Sequence, residues 1–543
     1  MTEGGRPRTV SAPVQTGSFD MKSTLLASAA LVALTTGAAR ADFALTILHT
    51  NDFHDRFEPI SKYDSTCPPE DNTAGECFGG IARLVTAISE ARGQGGTRLL
   101  VDAGDQFQGS LFYSRYKGEL AAEFMNALDY DAMTVGNHEF DDGPAVLTDF
   151  ARKLEAPLLM ANADLTGEPG LRAEVQKSVV VEKGGEKIGI VGLTPLDTAE
   201  LASPGPNVIF TEPVQAAQAE VDRLTDEGVT KIVLLSHLGY EADKEIASAL
   251  KNVDVIVGGH SHTLLSNEDE AAAGPYPTKV GDVAIVTAYA YGKYLGELNV
   301  TFDDAGRIVS AEGAPMLLDA SVAEDEATVA RVKELAAPLE EIRSRVVAEV
   351  SAPIDGSRES CRSGECAMGN LVSDAMLDRV RDQGIQIAIS NGGGLRASID
   401  AGTVTMGDVL TVLPFQNTLS TFQVKGEAVV AALENGVSEL EEGAGRFAQV
   451  AGLKYAFDPA APVGGRISDV MVMDEGGWQP IDPAKTYGVV SNNYVRQGGD
   501  GFAMFVDAAN AYDFGPDLAD VTAEYLVAHA PYTPVIEGRI TRK

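Results

Sequence analysis

Ligand-type side chains follow short apolar runs at several points in the first half of the chain. Thr134-Val135-Gly136-Asn137-His138-Glu139-Phe140-Asp141-Asp142-Gly143 places an amide, an imidazole and several acids directly after Ala132 to Val135. Leu45 to Leu48 runs into Asp52-Phe53-His54, and Leu99 to Val101 runs into Asp102-Ala103-Gly104-Asp105. Ser236-His237 and Gly258-Gly259-His260-Ser261-His262 close two later runs. Of the seven histidines in the chain, only His529 lies away from these motifs. A single histidine is more often a hydrogen-bonded structural residue than a ligand. Several runs ending this way are explained if their strands deliver the side chains to one sheet edge, where open α/β sheets hold ligands.

The donors are all nitrogen and oxygen, which suits zinc or manganese better than a cysteine site. There are enough of them for two ions, and Asp105 is the natural bridge through its two carboxylate oxygens. Two ions roughly 3.5–4 Å apart can activate a water and hold the attacking and leaving oxygens of an in-line displacement at phosphorus. Phosphoester hydrolysis is the reaction class this donor set favours.

The elements that must position these residues alternate as strand and helix. Apolar runs at Leu45 to Leu48, Leu99 to Val101, Ala132 to Val135, Ile188 to Val191, Ile232 to Leu235 and Val255 to Val257 are interleaved with helical stretches. The latter are Arg83 to Ala91, Glu119 to Leu128 and Ala216 to Leu224. That rhythm predicts one α/β domain over residues 43–320. The charged, Ala-rich stretch from Val322 to Val347 has helical periodicity and predicts a linker helix, assigned to 321–350. A second, smaller α/β or α+β domain is expected over 351–543.

A chain of 543 residues with net charge -37 repels phosphate backbones at long range, which argues against a nucleic acid partner. An anionic substrate then needs a local cluster of cations or metals. Residues 1–41 read as an N-terminal extension followed by an export signal starting at Met21. Lys22, the apolar stretch Leu25 to Leu34 and the A-x-A site Ala39-Arg40-Ala41 carry that reading. The chain ends without an apolar tail, so no membrane anchor is expected, and a periplasmic or secreted protein is. The four cysteines form two local pairs, Cys67 with Cys77 and Cys361 with Cys366, expected to be disulfides in that oxidising compartment.

In the second half, Cys361-Arg362-Ser363-Gly364-Glu365-Cys366 precedes a helix beginning near Met368. Ser390-Asn391-Gly392-Gly393-Gly394-Leu395-Arg396 closes an apolar run. Each offers a cation on a tight loop, where glycines admit an anion and arginine grips phosphate. A triple glycine by itself is more often a turn. Pro414-Phe415-Gln416-Asn417 and the stretch Asn493 to Phe502, which contains Tyr494, Gly498-Gly499 and Asp500, each add an aromatic ring. Two such rings facing one another could hold a nucleobase.

Taken together, the runs Ile47 to His54, Asp102 to Asp105, Gly136 to Asp141 and Gly258 to His262 resemble the calcineurin-like metallophosphoesterase domain of secreted 5'-nucleotidases and bacterial UDP-sugar hydrolases. The second-half stretches resemble that family's C-terminal substrate domain, in the same order. The resemblance implies an α/β metallophosphoesterase sandwich joined by a linker helix to a smaller nucleotide-binding domain, and two divalent metal ions. It implies Asp52, His54, Asp105 and His262 around one ion, and Asp105, Asn137, His237 and His260 around the other; the His262 position varies between amide and imidazole in the family. His138, oriented by Asp141, would stabilise charge at the phosphate, and His49 would be structural. Phe415 and Tyr494 would stack on the base, Asp500 would bind ribose hydroxyls, and Arg362, Asn391, Arg396 and Asn417 would meet other polar groups of the substrate. Many members have Phe where this chain has Tyr494. The implied activity is release of phosphate from nucleoside 5'-monophosphates for salvage, with nucleoside di- and triphosphates and UDP-sugars as further candidates. Alternatives on the same architecture are a 2',3'-cyclic phosphodiesterase with 3'-nucleotidase activity, a thiosulfohydrolase, and a nucleoside-binding protein without turnover. Metals in one domain and the nucleoside pocket in the other imply domain closure, with the linker as hinge and an open form that separates the two sites.

Overall fold

Apolar residues in the first-half runs alternate between two cores. Leu45, Ile47, Leu99 and Val101 fall in one buried cluster, while Leu48, Leu100 and Met133 fall in another. This is the period-two signature of strands covered on both faces. In a computed structural model, which describes residues 42–543 except 63, 65, 66, 416, 475 and 514, they are strands of a two-domain α/β protein. The export signal expected over 1–41, and Gln416, lie outside the described residues.

β1 (Phe43–Thr50), β2 (Arg98–Asp102) and β3 (Ala132–Thr134) are parallel neighbours inside a seven-stranded sheet. β4 (Ile232–Ser236) and β5 (Val255–Gly258) are parallel neighbours in a six-stranded sheet. The first core lies between these sheets, where Ile47 and Val101 share a cluster with Leu234 and Ile256. The second covers the other face of the seven-stranded sheet with helices Ile81–Gly93, Glu119–Leu128 and Gly143–Lys153. The ligand-bearing strand ends are therefore divided between two stacked sheets, where sequence alone places them on one sheet edge. The reason is that each run is apolar on both faces, and one face of each sheet is buried by the other. Register keeps the ends level: Thr50 pairs with Asp102, Asp102 with Met133, and Ser236 with Gly258.

The linker departs from the single helix expected. It forms helix Glu326–Ala336, a 3-10 turn Ala337–Leu339 and a short helix Glu340–Arg343, and Val346–Val350 is already a strand. Pro338 in the turn lacks an N–H and clashes with continued helix, which explains the break. Val332, Leu335 and Leu339 pack into the outer core of the first domain, whereas Val346–Val350 pairs with Gly402–Thr405 of the second. Between them Arg343 forks onto Glu58, with Nη1 donating to Oε1 at 3.0 Å.

In the second domain β6 (Ile387–Asn391) runs parallel to β7 (Thr486–Asn492) inside a five-stranded sheet, so Asn391 and Asn492 end adjacent strands. Helix Ala367–Val380 packs against β6, its N-terminus tied by the Cys361–Cys366 disulfide; Cys67–Cys77 is also formed.

His49 on β1 is buried, and its Nε2 shares a 2.8 Å hydrogen bond with the Tyr276 hydroxyl. Its cross-strand partner is Gly296, where an added Cβ would fall on the imidazole ring. Gly296→Ala should cost about 1–3 kcal/mol by overpacking. Thermal unfolding should show a lower midpoint with bound metal per chain unchanged, whereas an unchanged midpoint would mean that the ring has room to move.

Candidate metal centre and substrate cleft

The loops leaving the strands adopt backbone that ordinary residues avoid. Asp52 (φ 50°), His54 (φ 55°), Asp105 (φ 58°), His260 (φ 67°) and His262 (φ 50°) all lie in the left-handed region. Each such residue costs about 1–2 kcal/mol, although Asp and His tolerate it better than most. Backbone bonds between loops hold the conformation: Asp52 N–H donates to Gly104 O (2.9 Å) and His54 N–H to Asp105 O (3.1 Å).

Glu139, fully buried, fastens the next pair of loops. Its carboxylate accepts the backbone N–H groups of Gly136 (2.6 Å), Gln106 (2.8 Å), Asp105 (3.1 Å) and Phe107 (3.3 Å). Close packing leaves no room for a Cβ at Gly136, which would collide with Asp105 Oδ1, or at Gly104, where it would lie 2.9 Å from His237 Nδ1.

Among the described residues, two groups bring potential ligand atoms within 4.8 Å of one another: Asp52, His54 and His262, and Asp105, His237 and His260. His262 Nε2 lies 3.3 Å from Asp52 Oδ1 and 3.2 Å from His54 Nε2. His237 Nε2 lies 3.0 Å from Asp105 Oδ2 and 3.9 Å from Asp52 Oδ1. Asp105 Oδ2 is also 3.8 Å from His54 Nε2, so this single oxygen faces both groups. Asp105 Oδ1 accepts the His138 N–H at 2.9 Å, which fixes the carboxylate's orientation. Asn137 joins the second group, its Oδ1 being 2.9 Å from His260 Nδ1.

This donor set fits divalent cations. His54 Nδ1 and His237 Nδ1 are bonded to the carbonyls of Phe107 (2.9 Å) and Ala103 (2.6 Å), which fixes their tautomers and turns the Nε2 lone pairs inward. His237 Nε2 is buried and faces Asp105 Oδ2 at 3.0 Å. Burial holds His54, His260 and His262 well below the ordinary imidazole range, in the neutral form that binds metals. Burial also opposes charge on His237, but Asp105 and Asp52 overcome it and draw the group up to about 10. A field that holds a proton there would hold a cation.

His138 sits beside these groups with its Nδ1 2.7 Å from Asp141 Oδ2. Burial lowers its pKa, yet Asp141 and Asp105 carry it above the ordinary value. Gln108 Nε2 donates to the same Asp141 oxygen at 3.1 Å.

The second domain closes over this centre. Arg396 Nη2 lies 3.2 Å from His54 Nε2, Arg358 Nη1 donates to His260 O at 2.9 Å, and the Phe415 ring stacks on His138 at 5.7 Å. One cavity of about 760 Å³ is lined by Asp105, Asn137, His138, His260 and His262 from one side, and by Arg358, Arg362, Arg396, Asn391, Phe415, Asn417, Tyr494 and Asp500 from the other. This is a closed arrangement, not the separated one expected of an open form. Burial and mutual repulsion lower the pKa values of Arg358 and Arg362. An anion entering here would relieve that repulsion.

Every metal-ligand, catalytic and substrate residue expected from sequence thus lines this cavity or belongs to the donor groups beneath it. Phe415 and Tyr494 both line the cavity, Phe415 lying on His138 and the Tyr494 hydroxyl bonded to Asp500. Sequence reasoning passes over Arg358, although Ser357 before it is a helix N-cap and its spacing of four from Arg362 puts both on one side of that turn. The role of Glu139 carries no such signal, since three of its four amide partners lie in the distant Asp105–Phe107 loop. Arg56 is also missed: it is buried, stacks over Tyr291 at 5.1 Å and reaches Arg396 O at 3.4 Å.

Glu139→Gln replaces an acceptor of four amides by one with a single carbonyl oxygen. Bound metal, measured by atomic emission after dialysis, should fall together with stability, the latter by about 1–3 kcal/mol for unsatisfied buried donors. Full metal retention would show that the loop holds itself.

Comparisons with known proteins agree with this geometry. Residues 45–264 match the calcineurin-like phosphoesterase family model, and residues 346–507 match the 5'-nucleotidase C-terminal domain. A 5'-nucleotidase of Diplobatis ommata is 39% identical over 94% of this chain and 92% of its own length. The crystal structure of a 5'-nucleotidase precursor from Thermus thermophilus is 42% identical, with a TM-score of 0.87 over 92% of this chain and 99% of that one. A Thermus thermophilus sulfate thiohydrolase shares the fold at 21% identity, with a TM-score of 0.77 over 92% of this chain and 96% of its own. With both domains matched in order and relatives aligned nearly end to end, the chain belongs to the 5'-nucleotidase family of metallophosphoesterases.

Proposed function

We propose that the protein hydrolyses nucleoside 5'-monophosphates to nucleoside and phosphate, using two divalent ions, zinc or manganese. Asp52, His54, Asp105 and His262 would hold one ion, and Asp105, Asn137, His237 and His260 the other. The observation that carries this reading is a single cavity exposing both donor groups on one wall and Arg358, Arg362 and Arg396 on the other. Bound there, the ions would supply positive charge to phosphoryl oxygens and generate the nucleophile from water.

The chain's own residues do the rest. Asp141 takes the Nδ1–H of His138, so that Nε2 faces the phosphate and the raised pKa keeps a proton available to the charge developing there. The arginines neutralise the phosphate in a chain whose overall charge would repel it. Phe415 and Tyr494 stack on the base, Asp500 takes the ribose hydroxyls, and Asn391, Asn417 and Arg362 complete the polar contacts. Phe415 against His138, and Arg396 against His54, bridge the two walls of the cavity. Parting of these contacts would admit substrate, with residues 340–346, where the chain crosses between domains, as the hinge. Two formed disulfides support an exported, oxidising location such as the periplasm, and no described helix is long and apolar enough to cross a membrane.

Phosphate or sulfate release from AMP, 3'-AMP, a 2',3'-cyclic nucleotide, UDP-glucose and thiosulfate esters, with metal-stripped and metal-restored protein, tests the reaction class. AMP hydrolysis should disappear on stripping and return with zinc or manganese; turnover of the other substrates alone would transfer the assignment to a related activity. His138→Ala should lower kcat by about 10²–10³-fold with bound metal unchanged. Undiminished turnover in that variant would remove His138 from the chemistry.

A further inference from the structure

The nucleoside end of the cavity contains a chain of buried hydrogen bonds that converges on Asp500. Asn492 Nδ2 donates to Asn391 Oδ1 at 2.9 Å, and Asn391 Nδ2 donates to Asp500 Oδ2 at 2.6 Å. The Tyr494 hydroxyl donates to Asp500 Oδ1 at 3.0 Å and accepts the Asp500 N–H at 3.1 Å. Asp500 itself has φ 53°, a strained conformation for a non-glycine residue, and its carbonyl accepts from Asn435 Nδ2 at 2.9 Å. The phenol therefore grips Asp500 at two points, backbone and side chain, across the intervening Gly499.

Stacking on a base needs only the ring. The hydroxyl is extra, and its one proton is committed to the carboxylate. An ionised carboxylate has about four acceptor sites, two on each oxygen. Asn391 fills one site on Oδ2 and Tyr494 one on Oδ1, which leaves a site on each oxygen and matches two vicinal hydroxyls. Gly393 and Gly445 border the same carboxylate, with an added Cβ at either lying 3.4 Å and 3.3 Å from Oδ2, so bare backbone flanks it. Burial and the Asp500 charge together hold the Tyr494 phenol well above its ordinary range, so it stays a donor.

We infer that the Tyr494 hydroxyl is the positioning group that orients Asp500 toward both ribose hydroxyls, and that it thereby sets discrimination between ribo- and 2'-deoxyribonucleotides. The inference rests on the proposed assignment of Asp500 to the ribose, and the test separates the two. Steady-state constants are measured for AMP and 2'-deoxy-AMP with the metal-loaded native protein, Tyr494→Phe and Asp500→Asn. Tyr494→Phe keeps the ring and should raise KM for AMP about tenfold, the scale of one hydrogen bond to a charged group, and raise KM for 2'-deoxy-AMP, which keeps one of the two hydroxyls, clearly less, so that discrimination falls while both kcat values stay within about twofold. Asp500→Asn should abolish the preference for AMP. A Tyr494→Phe protein that retains native discrimination, or whose KM rises equally for both nucleotides, overturns the inference while the ribose assignment stands on the Asp500→Asn result. Native discrimination in Asp500→Asn overturns both. Thermal unfolding of each variant confirms that the folded proteins are being compared, and Tyr494→Leu, which loses ring and hydroxyl together, should weaken both nucleotides.

Discussion

Lone pairs and carboxylate charge aimed inward at the end of a β-sandwich are the constraint around which this molecule is built. His54, His237, His260 and His262, with Asp52 and Asp105, are buried or nearly so and converge within a few ångströms. Left to themselves such groups would turn away from one another or take up protons. They are prevented from turning by bonds that have nothing to do with a ligand. Carbonyls of Phe107 and Ala103 fix two imidazoles, the His138 amide fixes one oxygen of Asp105, and Glu139 gathers the amides of the loop that carries it. The left-handed backbone at five of these positions is sustained by the same loop-to-loop bonds. Strain and unfavourable electrostatics are thus concentrated where cations would relieve them.

The second domain answers with the opposite charge. A chain of net charge -37 collects three arginines on one wall of a closed cavity, two of them with pKa values lowered by burial and by their neighbours. Like-charged arginines repel one another there, and an anion between the walls would relieve that repulsion. Direct contacts also cross the cleft, from Arg396 to His54 and from Phe415 to His138. Closure is further steadied away from the chemistry by Arg343 on Glu58 and by Arg56 on the Arg396 carbonyl. Residues 54, 56 and 58 thus form a strip against which Arg396 and the linker residue Arg343 pack, so a candidate ligand lies directly at the contact between the domains.

Sequence and structure diverge where an interaction has no local trace. The broken linker is legible in principle through Pro338, but the helical periodicity on either side of it dominates a reading by pattern. The division of the strand ends between two sheets is not legible, because an apolar run covered on both faces looks the same whichever sheet it joins. Arg358 can be found from the Ser357 cap and its spacing to Arg362, whereas Glu139 and Arg56 act on the backbone of residues far along the chain.

Residue type and spacing were enough to establish the chemistry: which side chains follow which apolar runs, the nitrogen and oxygen donor set without thiolate, and the order of the second-half motifs. The physics that ties these features to strand ends is local. It took the folded chain to establish which oxygen of Asp105 faces both donor groups, that Phe415 rests on His138, and that the Tyr494 hydroxyl is spent on Asp500. These are matters of direction. A carboxylate or a phenol has the same composition whichever way it points, and the pointing is set by partners that meet only when distant loops fold together.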